Sequence, residues 1–149
     1  MLNRLRSEQL FKMSKSERKE NLRKLMLEAV QGVLDESADI CNACVVIYNV
    51  LQACEAYCKE ISEEDFLSLK AMWSDLEEFP KDEKRLKYSP EELLVLDDEE
   101  KKAVDFYKDD LKDICRKILA SDIPNMGPPE DPYAWPSDEQ LKIWNNNKK

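Results

Sequence analysis

Apolar residues recur along this chain at three- and four-residue steps, and no stretch shows single alternation bounded by turn residues. That period belongs to helices with one buried face. The first strong stripe is Leu22, Leu25, Met26, Ala29, Val30, Val33 and Leu34, preceded by Ser14 and Glu17 in capping-box spacing. Ahead of it, residues 2–12 predict a short helix with Leu2, Leu5 and Leu10 as its contacts. The next stripe runs Ile40, Cys41, Cys44, Ile47, Tyr48, Leu51, Cys54, Cys58, Ile61. Val45, Val46 and Val50 widen it, so this is the helix expected to be most buried. Ser37 offers a cap, yet no Gly or Pro forces a break across 35–39. Two helices and a single helix of about 45 residues therefore both fit.

Ser62 with Asp65 predicts a third helix bearing Phe66, Leu69, Met72 or Trp73, and Leu76. It stops near Phe79, because Pro80 lacks the N–H that would extend it. Residues 80–88 form a charged linker. Ser89-Pro90-Glu91-Glu92 combines an N-cap serine, proline at the first helical position and acids in the first turn. A long helix follows through Leu119, with a fresh start at Asp97 or Asp98 as an option. From Ser121 the pattern changes: five of the seven prolines fall within 124–136, which predicts extended chain. Ser137 and Gln140 cap a short terminal helix. The expected fold is all-α: an antiparallel helical bundle or long helical hairpin over 1–121, with a Pro- and aromatic-rich extended C-terminal arm over 122–149.

Composition narrows the function. Charged residues make up 37% of the chain, against about 25% in an average domain. There is no histidine, and the two glycines are Gly32 and Gly127. The first absence removes Ser/His/Asp and Cys/His nucleophile chemistry and His-ligated metals. The second removes Gly-rich phosphate loops. No run of about 18 uncharged apolar residues exists, so no membrane span is expected. The net charge of -9 is uneven. Residues 1–24 carry eight bases and three acids, whereas 60–113 carry nineteen acids and nine bases. Nucleic acid is disfavoured except at the basic 1–24 segment, since an acidic chain repels phosphate at long range.

The five cysteines test for metal or redox chemistry. Cys41-x-x-Cys44 and Cys54-x-x-x-Cys58 have ligand-like spacing. On one helix, however, Cys41 and Cys54 stand roughly 20 Å apart, far beyond a shared zinc. They are read as core thiols in a reducing, cytoplasmic protein. Acidic runs such as Glu63-Glu64-Asp65 and Asp97–Glu100 are solvated faces or caps, not convergent pairs. No catalytic residue, metal ligand or cofactor is assigned.

Two segments read as partner-binding. Tyr133, Trp135, Leu141 and Trp144 place large aromatic and aliphatic anchors on the Pro-rich arm, the residue types that dominate interface energetics. The second is KRLKYSPEELLVL, with Tyr88, four residues, then Leu93-Leu94. It resembles the Tyr-x4-Leu-Φ element of proteins that bind the cap-binding translation initiation factor. That resemblance implies Tyr88, Leu93 and Leu94 as anchors on the factor; the competing reading packs both leucines into the chain's own core. The expected function is a non-catalytic interaction protein, an adaptor, assembly subunit or stoichiometric inhibitor whose partner is another protein. The broad stripe in 33–61 is also compatible with a homodimer. The translational regulator is the alternative.

Overall fold

The computed structural model describes residues 15–126, and among these there are helices and turns but no strand. The helices are α1 (Lys15–Leu34), α2 (Ile40–Ala53), α3 (Glu55–Cys58), α4 (Glu63–Leu76) and α5 (Pro90–Ala120). Short 3-10 turns span Asp82–Lys87 and Ile123–Asn125. α2 packs on α1 and α4, and α5 packs on the same two helices from the other side. The four long helices thus form a bundle in the cyclic order α1, α2, α4, α5.

Cross-helix pairs fix the directions. Glu36, just past the end of α1, meets Lys108 at 2.8 Å and Lys112 at 3.2 Å, beyond the midpoint of α5. Earlier in α1, near its middle, Arg23 donates to the Pro124 carbonyl beyond the end of α5. Asp65 in the first turn of α4 meets Lys117 in the last turn of α5 at 3.0 Å, while Tyr107 donates to Asp75 near the other end of α4. Both α1 and α4 therefore run antiparallel to α5, and the bundle replaces the long hairpin.

The chain leaves α1 through a left-handed residue, Glu36 at φ 59°, and the Ser37 and Ala38 amides return to the Gly32 carbonyl. That turn makes two helices of 15–53, not one. Asp39, not Ser37, caps α2: its Oδ1 accepts from the Asn42 amide at 3.0 Å. α2 is the central helix, with ten of its fourteen residues buried. It ends at Ala53 because Cys54 adopts an extended conformation, a break that no Gly or Pro announces. The break delivers Tyr57 and Ile61 into the core. The predicted caps at Ser62 and Ser89 are both present. α5 runs without interruption through Asp97 and Asp98. Ile123 is buried, and Met126 packs against the same core.

Candidate functional site

α5 is far longer than its neighbours, 31 residues against 14 to 20 for the helices it packs on, or about 46 Å of helix. Its buried side chains are Leu111, Ile114, Cys115 and Ile118, all in the C-terminal third. The N-terminal turns overhang the bundle.

Local chemistry keeps that overhang helical. Ser89 Oγ accepts from the Glu92 amide at 3.1 Å, and the Ser89 amide donates to Glu92 Oε1 at 3.0 Å, with Pro90 between them. This reciprocal pair satisfies amides that have no partner inside the helix. The Ser89 amide, and then its hydroxyl, hold the Glu92 carboxyl below the usual range. The preceding 3-10 turn is strapped along α5 at two points. Arg85 grips Asp97 with both guanidinium nitrogens, at 2.8 and 2.9 Å. Lys81 lies between Glu100, at 2.6 Å, and Asp39, at 3.4 Å, joining α5 to the cap of α2. Arg–carboxylate forks of this kind fix geometry as well as adding energy.

Large apolar side chains are exposed on both the strap and the overhang. Leu86 is 84% exposed, Leu94 73%, Val95 58% and Tyr88 39%. Leu93 and Leu96 are half-buried, and neither belongs to the core or packs against it. Single exposed apolar residues are ordinary, but four of them between 86 and 95, with Leu94 and Val95 adjacent in sequence, make this a candidate contact segment. The rim is acidic. Glu91, Glu92, Asp97, Asp98, Glu99 and Glu100 fall within ten residues that hold no base. Among the described residues, ion pairs engage Asp97, Asp98 and Glu100 but not Glu91, Glu92 or Glu99.

Of the residues read as partner-binding from sequence, Tyr88, Leu93 and Leu94 lie in this segment, outside the core. The core-packing reading of the two leucines does not hold. Tyr133, Trp135, Leu141 and Trp144 lie outside the described residues. Leu86, within the charged 80–88 linker, and Val95, on the long helix, are not marked by the sequence pattern. An isolated leucine among PKDEKRLKY was the available signal for Leu86.

The thiols form no comparable site. Cys41, Cys44, Cys54 and Cys115 are buried and Cys58 is partly so, and none is in a disulfide. Burial pushes the Cys41 and Cys115 thiols up to about 12, and Cys44 and Cys58 upward as well. Such groups stay protonated at neutral pH, and it is the thiolate that attacks or ligates. The end of α2 separates the Cys41/Cys44 pair from Cys54 and Cys58. Among the described residues, no group of three or more Cys, Asp or Glu is arranged to hold a metal ion. No helix there is long and apolar enough to cross a membrane. Between α2 and α4, Tyr48 stacks on Trp73 at 4.7 Å and on Phe66 at 5.7 Å. Tyr48 is itself buried, so this stack serves the helix contact.

No protein-family model matches the chain, and no curated protein or solved structure is significantly similar to it.

Proposed function

We propose that this chain is a non-catalytic interaction protein, an adaptor, assembly subunit or stoichiometric inhibitor, and that it grips its partner with the strap and overhang at 86–96. One observation carries the reading: Leu86, Tyr88, Leu94 and Val95 are exposed on a segment held in place by the Arg85–Asp97 fork and the Lys81 node. A mobile loop exposing leucines pays ordering entropy on binding; a strapped one has already lost it, so more of the apolar burial appears as affinity. Buried, unionised thiols suit a cytoplasmic, reducing setting.

The test is affinity capture from the native source, with wild type and the Leu86→Asp, Leu94→Asp double variant as baits. Both positions are exposed, so the variant keeps its fold, which circular dichroism checks. The expected result is loss of specific partners from the variant. Recovery of the same partners by both baits defeats the proposal. A third bait lacking 127–149 weighs the arm's Tyr133, Trp135, Leu141 and Trp144 as a second contact.

A more specific reading is favoured by where Tyr88 sits. It is partly exposed immediately before the helix that carries Leu93 and Leu94, in line with the resemblance to binders of the cap-binding initiation factor. In that reading the chain is a translational regulator. Pull-down of the purified factor, lost with Tyr88→Ala plus Leu93→Ala, supports it; no pull-down by wild type ends it.

A further inference from the structure

We propose that the acidic overhang of α5 docks residues 1–12 of a second copy of this chain, and that two copies make the contact reciprocally across a two-fold axis. The inference rests on the reading of 86–96 as a docking surface and names its occupant.

Charge complementarity comes first. The first turns of α5 surround Leu94 and Val95 with Glu91, Glu92 and Glu99, acids outside any ion pair among the described residues. A second copy of the same acidic face would be repelled, so the occupant must be both apolar and basic. Residues 1–12 have that composition: Leu2, Leu5, Leu10 and Phe11 interleaved with Arg4, Arg6 and Lys12, against the single acid Glu8. Leu2 and Leu5, with Arg4 and Arg6 beside them, can lay apolar contacts on Leu94 and Val95 while the guanidinium groups meet the rim.

Reach then decides between the chain's own segment and another copy's. Glu36, past the end of α1, lies level with Lys112 of α5. Leu94 is about 27 Å beyond that level in one direction, and Lys15 about 30 Å away in the other. The two ends of the molecule are therefore more than about 50 Å apart along the bundle. From Lys15, fully extended chain reaches at most about 14 Å by Phe11 and about 45 Å by Leu2. The segment cannot seat on its own overhang. Two copies side by side and antiparallel bring each basic end over the other's acidic end, and a two-fold arrangement closes at two.

Sedimentation velocity on the full chain tests this at two salt concentrations. The Debye length is about 10 Å at 0.1 M and about 3 Å at 1 M, so the dimer expected at low salt shifts to monomer at high salt. Arg4→Glu with Arg6→Glu and Lys12→Glu is expected to be monomeric. Leu94→Asp with Val95→Asp is expected to be monomeric too. That second variant is the sharper one: it adds negative charge, so purely electrostatic attraction would tighten, and loss identifies the apolar contact. A synthetic peptide of residues 1–14, in excess, is expected to dissociate the wild-type dimer. Monomer at every concentration, dimer indifferent to both variants, or growth past two copies overturns the proposal. If capture of other proteins still depends on Leu86 and Leu94, the docking surface survives and only this occupant is removed.

Discussion

Gly32 shows what a residue's neighbours can add to its propensity. Within a helical pattern its cost is about 1 kcal/mol relative to Ala, so Gly32→Ala should stabilise an isolated helix. In the bundle a Cβ there would stand 2.7 Å from the Ala38 Cβ, because the turn after α1 folds straight back over Gly32. The obstruction is a backbone-anchored methyl that cannot swing aside. Overpacking of this sort costs about 1–3 kcal/mol, which exceeds the propensity gain. Gly32→Ala is therefore expected to lower the melting temperature by several degrees, and Ala38→Gly in the same chain to restore most of it. Calorimetry of the three proteins checks this; a melting temperature raised by Gly32→Ala would show that the turn yields. By helix propensity alone Gly32 is only a weak point. What makes it necessary is the left-handed Glu36 four residues on, a tertiary requirement with no local signature.

At the scale of elements, legibility follows how local the determinant is. The starts of α4 and α5 were readable because Ser62 and Ser89 act on amides three residues away. The restart offered at Asp97 was not taken, because Asp97 spends both oxygens on Arg85 and the helix passes it unbroken. The end of α2 at Cys54 was unreadable: only burial of Tyr57 and Ile61 rewards it. The segment proposed for docking divides the same way. Tyr88, Leu93 and Leu94 stood out by spacing, whereas the exposure of Leu86 and Val95 depends on where three other helices end. Since no core contact supports the overhang, its cap matters more than most. Ser89→Ala is expected to cost about 1 kcal/mol, paid locally. Amides of 91–96 should exchange faster with solvent, while the melting temperature, set by the core around Leu111–Ile118, stays nearly unchanged. Hydrogen exchange read by mass spectrometry decides; unaltered protection of that peptide would mean the strap alone holds the helix.

Across the whole molecule, the surface pairs that hold long-range geometry are carboxylates facing bases, so stability should carry their pH signature. Hydrogen bonds from Lys108 and then Lys112 hold the Glu36 carboxyl below its usual range, and a hydrogen bond from Arg85 does the same for Asp97. A carboxyl depressed in the folded state contributes stability that is fully present above its unfolded value, about 4.3 for Glu and 3.9 for Asp. That contribution is lost as pH falls through the lower folded value. Glu77 opposes this. Burial, and then Glu78, raise its carboxyl, so it weighs against the fold at neutral pH and ceases to as it protonates. The net charge of -9 acts in the same direction as Glu77, since mild acid relieves self-repulsion. Urea midpoints from pH 7 downward should therefore hold level or rise slightly to about pH 5 and then fall below about pH 4. Glu36→Gln with Asp97→Asn should flatten that acid limb specifically, leaving the limb above pH 5 parallel to wild type. An acid limb as steep in the double variant would place the pH dependence elsewhere than in the pairs that tie α1 and the strap to α5.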